Sequence, residues 1–322
     1  MKTRVLFSIL LIIAMVGCQT KQKSNVVTIG FVDAFEDETI KQAKTGFIDA
    51  LAKNGFDEKK ETLKIIYRNA QGDIPTLTQI VNYFISEKTT LIATNTTLAT
   101  ITTARKTTEI PIFMMVSSSP KLMKLEDATH KAPANLKGVY EELNYIDTSF
   151  ALIPQLLKVK NKQIVVGMIY NQSEPQSVDA LNRIKNLSQK LNITLESLPV
   201  NTSADAQLIV QSLLSKNLDA FFANPDNTVF ASFETIIKSC NNKNVPVFTS
   251  EAGLVKRGAV AAFGANLYQW GYQAGEQAAA YLKSKDLNTL QPEIVKVRNR
   301  VYNPAATKMF NINIPANFNA VK

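Results

Sequence analysis

The segment from Ile169 to Lys185, IYNQSEPQSVDALNRIK, places a carboxylate between hydroxyl residues at one predicted strand-to-helix turn. An apolar strand, VVGMIY, ends there and an amphipathic helix follows. Glu174 is flanked by Ser173 and Ser177. A carboxylate can hold an ammonium group through a charged hydrogen bond, whereas hydroxyls before a helix often serve only as caps. The turn is therefore a candidate binding site, with helix capping as the alternative.

Polar residues follow the ends of several other predicted strands. In an open α/β sheet, ligands bind outside the carboxyl ends of the strands, so these residues are candidate ligand contacts. Hydroxyls and free N–H groups at helix starts suit a carboxylate, and acids on a facing lobe suit an ammonium, so the set fits an amino-acid zwitterion. The candidate ligand residues are Phe35, Glu36, Thr96, Thr97, Ser117, Ser118, Tyr170, Asn171, Glu174, Ser177, Asp226, Asn227 and Glu251.

Each of these residues also has a purely structural interpretation. Thr97, Ser177 or Thr228 could be a helix cap and nothing more. The aromatic rings of Phe35, Tyr170 and Phe263 could enclose an apolar or aromatic ligand side chain. Because Tyr170 and Phe263 end apolar strands, a place in the core is the alternative for both rings.

Catalytic motifs are scarce in the sequence. His130 is the single histidine, so a Ser-His-Asp triad or a histidine metal site has little support. No phosphate-binding glycine loop follows a strand. Glu141 and Glu142 are adjacent, and on a strand they would point to opposite faces. We therefore expect a binding protein with no metal and no cofactor rather than an enzyme, with an exported hydrolase as the remote alternative.

Short apolar runs alternate with helical segments from Val26 onwards. Four consecutive strand-helix units predict a parallel sheet with helices on both faces. The stretch SSSPKLMKLEDATHKAPANLKGVYEELNY, residues 117–145, interrupts the alternation and is interpreted as a connection between lobes. The alternation then resumes, with TVFASFETIIKSCNN as one helix. The predicted fold is α/β, with two Rossmann-like lobes, each a parallel sheet flanked by helices, in a hinged clamshell.

The first residues have the layout of a bacterial export signal. Basic MKTR precedes the apolar run VLFSILLIIAMV, and Gly17 and Cys18 follow directly. Twelve apolar residues are too few to span a bilayer. The pattern resembles a lipoprotein signal, with residues 1–17 as signal peptide, Cys18 carrying lipid (palmitate), and residues 18–25 as a tether. A cleaved soluble export signal is the alternative. We expect a membrane-anchored protein in the periplasm or on the cell surface.

Cysteine count and charge limit the possible partners. With Cys18 acylated, Cys240 stands alone, so no disulfide and no cysteine metal site are expected. Without Lys2 and Arg4 the formal net charge falls from +9 to +7. The lysines are scattered singly and no aromatic-and-basic stripe is present, so nucleic acid is not an expected partner. A monomer is expected.

Three segments resemble one known family. IYNQSEPQS, PDNTVF and SEAGLVKRGAVAAFGANLYQWGYQAGEQAA are similar to the ABC-transporter substrate-binding lipoproteins of the tryptophan/tyrosine type. This resemblance covers nearly the whole chain after the signal. It implies a type I periplasmic binding protein that encloses a ligand between two lobes and delivers it to an ABC permease. A ligand-sensing lipoprotein that signals to a membrane receptor would have the same fold and is the alternative.

The resemblance also assigns single residues. Glu174 and Ser177 match the family's Glu and Ser in the strand-to-helix loop, and Asp226 with Asn227 matches its DN pair. Glu36 matches the Glu after the first strand, and Thr97 matches the Thr that opens the third helix. An aromatic amino acid such as tryptophan or tyrosine is the implied ligand.

Several positions depart from the family pattern. Asp37 and Glu38 stand where the family has His and Pro, Ser119 stands where an Asp is usual, and Glu251 replaces an Asp. These changes leave a different small amine or acid as the alternative ligand.

The resemblance further implies chain crossings between the lobes near Asn144, Gly264 and Pro292. The predicted first lobe comprises residues 26–143 with 265–291, and the predicted second lobe comprises residues 144–264 with 292–322. We expect the lobes to open and close about these crossings.

Overall fold

The computed structural model describes residues 26–157 and 163–321. Its strands form a six-stranded sheet in the order β11-β5-β4-β3-β1-β2, a four-stranded sheet in the order β7-β6-β8-β9 and a three-stranded sheet in the order β10-β12-β13. The strands are β1 Val27–Asp33, β2 Leu63–Asn69, β3 Leu91–Asn95, β4 Ile112–Ser118, β5 Leu136–Glu141, β6 Ile164–Tyr170, β7 Ile193–Pro199, β8 Ala220–Ala223, β9 Val247–Thr249, β10 Ala261–Ala265, β11 Glu293–Ile294, β12 Arg298–Tyr302 and β13 Asn319–Ala320.

Helices follow most strands, as expected for parallel sheets whose crossovers cover both faces. The helices are α1 Glu38–Lys53, α2 Ile74–Ser86, α3 Thr97–Lys106, α4 Tyr145–Leu156, α5 Pro175–Lys190, α6 Ala206–Leu214, α7 Asn227–Ala231, α8 Phe233–Asn242, α9 Ala252–Lys256, α10 Leu267–Ser284 and α11 Pro304–Met309.

The two larger sheets are parallel throughout and define two lobes. In the first lobe, Phe31 and Phe113 pack beneath α1 and α10 in one apolar core. In the second lobe, Phe222 and Phe248 belong to a core on one side of the sheet, and Phe221 belongs to a core on the other. The predicted α/β fold with two Rossmann-like lobes is therefore confirmed.

Two helices of the first lobe approach closely because each carries glycine at the contact. A Cβ added at Gly46 of α1 would lie 2.0 Å from the Tyr268 carbonyl oxygen, and one added at Gly271 of α10 would lie 1.8 Å from the Ala43 carbonyl oxygen. Side chains cannot fit at these distances, so the backbones pack directly on each other. The helix α1, which begins at the ligand end of β1, is thereby held rigidly on the first sheet.

One prediction about the connecting stretch is wrong. Residues 117–145 contain β5, which pairs in parallel with β4 inside the first sheet. The register between these strands shifts after Met114, and Gly138 has a φ of +97° with Met114 backbone atoms directly beside it. Such an irregular strand lacks the regular two-residue periodicity, which explains why its sequence pattern was weak.

A second prediction is wrong in the second lobe, where one expected helix is two. The segment from Thr228 to Asn242 breaks between α7 and α8 at Ser232, whose hydroxyl donates to the carbonyl oxygen of Thr228 at 2.8 Å. A serine that bonds back to the preceding turn bends a helix. Cys240 on α8 is fully buried.

The residue boundaries of the lobes stay a prediction. Because Glu293–Ile294 pairs with β5 of the first sheet, a last crossing after Ile294 fits the strand pairing better than one at Pro292. The small sheet of β10, β12 and β13 lies outside the predicted parallel pattern, since β10 and β12 run antiparallel.

The export segment cannot be compared with the structure. Residues 1–25, which include Cys18 and the tether, lie outside the described residues, so the signal peptide and the lipid anchor stay predictions. Within residues 26–157 and 163–321, no helix combines the length and the apolar character needed to cross a membrane.

Candidate functional site

Two cavities lie between the lobes at the carboxyl ends of the strands. The larger has a volume of about 790 Å³ and is bounded by loops that follow β1, β2, β6 and β7. Its first-lobe side is partly apolar, and its second-lobe side is polar. The lining residues are Phe35, Glu36, Gln71, Gly72, Ile74, Leu98, Asn171, Ser173, Glu174, Asn201, Thr202, Ser203, Thr228 and Ala231.

The smaller cavity has a volume of about 40 Å³ and lies between the same lobes. It extends toward Leu143 and Tyr145, which flank the predicted chain crossing near Asn144. Asn227 on its wall bonds to Glu174 on the wall of the larger cavity, so the two spaces are adjacent. The lining residues are Thr97, Val116, Ser117, Ser118, Glu141, Leu143, Tyr145, Gln176, Pro225, Asp226, Asn227, Phe230, Glu251 and Trp270.

Glu174 lies at the N-cap position of α5, just beyond the end of β6, and is fully buried. Its Oε2 accepts hydrogen bonds from the backbone N–H of Asn227 at 3.0 Å and from the Asn227 side-chain amide at 2.8 Å. The Gln176 amide also donates to Oε2. Burial, and secondly the charge of Asp226, raise the pKa of Glu174 well above its ordinary value.

Asp226 follows β8 and is fully buried beside Glu174. Its Oδ1 caps α7 by accepting from the Val229 N–H at 3.0 Å, and its Oδ2 accepts from the Ser177 hydroxyl at 2.5 Å and the Asn171 N–H at 2.7 Å. Burial raises the pKa of Asp226 despite these donors.

Neither Glu174 nor Asp226 has an ion pair with a lysine, arginine or histidine of residues 26–157 and 163–321. Within the described ranges, the hydrogen-bond donors to both carboxyl groups are amides and hydroxyls. A buried carboxylate without a cation pays a large desolvation cost, which a ligand ammonium would offset. This part of the second lobe, Glu174 with Asp226 and Asn227, is named the acidic wall.

Ser177 does not cap α5, contrary to the structural alternative. Its hydroxyl donates to Asp226, and it accepts from the Asn171 N–H at 3.1 Å and from the Asn224 side-chain amide at 2.9 Å. The helix has no side-chain cap. Ser177 thus fixes the position of Asp226 from behind.

Across the cleft the first lobe presents hydroxyls. The hydroxyls of Thr97 and Ser118 lie 3.2 Å apart, and the Ser118 N–H donates to Thr97 at 3.1 Å. The Ser117 hydroxyl, in contrast, donates to the sulfur of Met123. The helix α3 begins here without a side-chain cap, which leaves its first amide groups available to an anion. Thr97, Ser117 and Ser118 are named the hydroxyl wall.

Thr96, the N-cap residue of α3, has an unusual backbone. Its φ is +89° with ψ 157°, a region that residues other than glycine rarely adopt. Its hydroxyl is buried and has no hydrogen-bond partner among the described residues. The N–H of Thr96 bonds to the Met115 carbonyl oxygen at 3.1 Å, which fixes this turn against β4.

Two further acids border the smaller cavity on its crossing-segment side. Glu251 accepts from the Tyr145 phenol at 2.6 Å and from the Ser250 hydroxyl at 3.1 Å, and burial raises the pKa of Glu251. Glu141 accepts from two nitrogens of Arg298 at 2.8 and 2.5 Å. Burial raises the pKa of Glu141 to about 7, although the Arg298 charge acts in the opposite direction.

The structure brings most predicted site residues together. Phe35, Glu36, Asn171 and Glu174 line the larger cavity, and Thr97, Ser117, Ser118, Asp226, Asn227 and Glu251 line the smaller one. Thr96, Tyr170 and Ser177 line neither of these two cavities.

The aromatic rings behave differently from one another. Phe35 lines the larger cavity, whereas Tyr170 and Phe263 pack against the second-lobe core, which is the alternative left open for both. Arg300 lies over the Phe263 ring at 4.5 Å. Sequence reasoning also missed Tyr145 and Gln176.

Other missed residues include Asn201, Thr202 and Ser203. They follow the carboxyl end of β7, so the search of residues after strand ends could have found them. Tyr145 opens the helix after β5, so it was missed together with that strand, whereas Trp270 reaches the site from within α10. Within the described ranges, no group of three or more His, Cys, Asp or Glu is placed to hold a metal ion.

A family model for ABC transporter substrate binding proteins matches residues 28–321. The chain belongs to this family. A relative from Clostridioides difficile, named "Tyrosine-binding protein", is 30% identical over 270 residues, which cover 84% of this chain and 75% of that protein.

Three solved structures have the same fold as this substrate-binding protein. A conserved domain protein from Vibrio cholerae is 27% identical with a TM-score of 0.83, covering 92% of this chain and 100% of the other. An ABC domain from Streptococcus pneumoniae in complex with L-Trp is 22% identical with a TM-score of 0.80, covering 90% and 96%. A ligand-free, open substrate-binding protein from Clostridium difficile is 27% identical with a TM-score of 0.66, covering 92% and 99%. These solved structures confirm the predicted type I periplasmic binding fold.

Proposed function

We propose that this substrate-binding protein captures an aromatic amino acid, such as tyrosine or tryptophan, between its lobes and delivers it to an ABC permease. The observation that carries the proposal is the acidic wall. Two fully buried carboxyl groups, Glu174 and Asp226, face the cleft, and their hydrogen-bond partners in the described part of the chain are amides and hydroxyls. A ligand ammonium would supply the missing positive charge. The name of the Clostridioides difficile relative supports the ligand class.

The ligand carboxylate would bind the hydroxyl wall. Thr97 and Ser118 offer hydroxyls, and the uncapped start of α3 adds backbone N–H groups at the positive end of the helix dipole. An amino-acid zwitterion then spans the cleft, with its ammonium on one lobe and its carboxylate on the other. Closure of the lobes brings both sets of contacts together, so affinity reflects the stability of the closed state.

The larger cavity would hold the ligand side chain. Phe35, Leu98 and Ile74 offer apolar surface, and an aromatic ring packs well beside Phe35. The polar residues Asn201 to Ser203 at the opposite side could meet a phenol or indole group. The volume of about 790 Å³ is more than sufficient for such a ring.

Several parts of this proposal concern residues and partners beyond the cleft. Cys18 would carry the lipid that anchors the exported chain, and the folded part would act as a monomer. Binding would need no cofactor and no covalent chemistry, because transport energy comes from the ATPase of the transporter.

Isothermal titration after removal of any co-purified ligand tests the proposal. L-tyrosine and L-tryptophan should bind, while tyramine, which lacks the carboxylate, and 3-(4-hydroxyphenyl)propionate, which lacks the ammonium, should bind at least tenfold more weakly. Equal binding of the propionate would exclude the assigned role of the acidic wall. If none of the twenty amino acids binds, the ligand is not one of these amino acids, and the family assignment still holds.

A further inference from the structure

An ion pair between Asp37 and Arg257 joins the two lobes outside both cavities. Asp37 follows β1 of the first lobe, and Arg257 follows β9 and α9 of the second lobe. The Arg257 Nη1 nitrogen donates to Asp37 Oδ2 at 2.6 Å and to the Thr39 hydroxyl at 3.1 Å. The Asp37 side chain is 3% exposed and that of Arg257 is 17% exposed. None of these residues lines either cavity.

Contacts within the second lobe fix the Arg257 side chain in the orientation in which it bonds to Asp37 of the first lobe. Its Nε and Nη2 nitrogens donate to Glu234 at 2.8 and 2.9 Å, and Nη2 also donates to the Phe230 carbonyl oxygen at 2.9 Å. Its guanidinium lies 5.2 Å from the centre of the Phe233 ring. The remaining nitrogen, Nη1, is therefore presented to the first lobe with little loss of side-chain entropy.

Asp37 is fixed in the same way on the opposite lobe. Its Oδ1 caps α1 by accepting from the backbone N–H groups of Thr39 at 2.8 Å and Ile40 at 3.1 Å, so only Oδ2 faces Arg257. The helix α1 is rigid on the first sheet because of its glycine contact with α10. Both partners of the ion pair thus move with their lobes as rigid bodies.

The surrounding contacts are equally dependent on the distance between the lobes. Ile40 of α1 is buried in the second-lobe cluster that contains Phe230 and Leu254. A Cβ added at Gly253 of α9 would lie 2.0 Å from the Thr39 methyl carbon. These surfaces fit only while the lobes are together, and separation would expose Ile40 and leave the Asp37 carboxylate without its arginine.

We infer that Asp37 and Arg257 form a clasp that holds the lobes closed and thereby sets ligand affinity and release from outside the binding site. A contact that exists only in the closed state raises the closed fraction, and apparent affinity scales with that fraction. The inference goes beyond ligand identity and rests on the proposed capture of a ligand between the lobes. Arg257 is a positioning residue in this scheme, since it touches no ligand.

Asp37→Asn is the sharpest variant. An asparagine can still cap α1, but it replaces the charged oxygen that faces Arg257. We expect roughly tenfold weaker binding of L-tyrosine or L-tryptophan, whichever the wild type binds, with a faster dissociation rate. Arg257→Ala should act in the same direction. The matched control is Arg183→Ala, which removes an arginine–aspartate pair with Asp147 inside the second lobe and should leave affinity unchanged.

A cross-link test works without any ligand. In the double variant Thr39→Cys, Gly253→Cys the two Cβ atoms would lie 3.2 Å apart, close to the roughly 3.5–4.5 Å of disulfides. Its rate of disulfide formation reports how often the lobes meet. Adding Asp37→Asn should slow cross-linking several-fold, and adding Arg183→Ala should not.

The outcomes separate the clasp from the proposed function. Unchanged cross-linking together with unchanged affinity in Asp37→Asn would overturn the clasp. If the wild type binds no aromatic amino acid, the proposed function fails, while slower cross-linking in Asp37→Asn still supports the clasp. The native Cys240 is fully buried and does not compete for the cross-link.

Discussion

Two groups of buried acids lie between the lobes, and they differ in what neutralises them. Asp37 and Glu141 each accept hydrogen bonds from an arginine of the opposite side of the cleft, Arg257 and Arg298. Glu174 and Asp226 are at least as buried, but their hydrogen-bond partners among residues 26–157 and 163–321 are amides and hydroxyls. The charges of Asp37 and Glu141 are therefore neutralised by arginines of the same chain. The charges of Glu174 and Asp226, when ionised, are left to be neutralised by a bound ligand.

The difference teaches that burial alone does not mark a binding site. A buried carboxylate with an arginine is a structural ion pair, whose loss costs stability. A buried carboxylate without one lowers the stability of the empty protein and becomes favourable only with a bound cation. The predictions below test this distinction, beginning with the largest expected effect.

Removing Arg298 should have the largest effect on stability. Arg298→Ala leaves Glu141, which is 2% exposed, without its cation, and we expect the free energy of unfolding to fall by roughly 3–5 kcal/mol. Urea denaturation at pH 8.5, above the pKa of about 7 of Glu141, measures the change. The double variant Glu141→Gln, Arg298→Met should recover much of the loss, since it removes both charges. A loss below about 1 kcal/mol would mean that this pair is not structural.

The pH dependence of stability should reveal the acids that lack arginine. Burial raises the pKa of Asp33 from 3.8 to about 6, so the folded protein holds this proton more tightly than the unfolded chain. The contribution of protonated Asp33 to the free energy of unfolding is fully present below about pH 4. It is lost as the pH rises to and through 6, and the total loss is up to about 3 kcal/mol. The pKa values of Glu174 and Asp226 are also raised, so both groups lower the free energy of unfolding as the pH rises above their ordinary pKa values.

Thermal unfolding of ligand-free protein between pH 4 and pH 8 measures this slope. Asp33→Asn should flatten the curve in the window from about pH 4 to pH 6. Ligand affinity should show the opposite trend and rise with pH, because the acidic wall must lose its protons to hold an ammonium. A stability that increases steadily from pH 4 to pH 7 would contradict the assignment.

Glu174→Gln separates binding from stability. We expect ligand binding to weaken by about 1.5–3 kcal/mol, because one charged hydrogen bond is lost. The free energy of unfolding of the empty protein should stay the same or rise at pH 7. Glu196→Gln is the control, since Glu196 lies outside both cavities and pairs with Lys216 at the surface of the second lobe. Equal affinity of the wild type and Glu174→Gln would reduce Glu174 to a turn residue.

The smallest effect is expected at the exposed ion pair within the second lobe. Arg183 and Asp147 are 31% and 40% exposed, and such pairs contribute about 0.2–1 kcal/mol. Arg183→Ala should therefore lower the free energy of unfolding by less than about 1 kcal/mol and leave binding unchanged. A loss comparable with that of Arg298→Ala would show that burial is not the variable that separates these pairs.

Strand-end reasoning predicted much of the site because parallel strands deliver their carboxyl ends to one edge. Glu174, Asp226 and Thr97 each follow a strand, and the structure brings all three to the cleft. It missed Tyr145, which follows the unpredicted strand β5, and Trp270, which reaches the smaller cavity from within α10. The same rule overestimated Tyr170, because a residue at the end of a strand can point to either face.

The sequence alone determined the family, the alternation of strands and helices, and the polar character of the strand ends, since these depend on local periodicity and motif. Only the tertiary structure decided which acid meets an arginine. Asp37 and Arg257 are 220 residues apart, and Glu141 and Arg298 are 157 apart. No local pattern links such positions, so whether a carboxylate is a structural partner or a free ligand contact depends on how the two lobes meet.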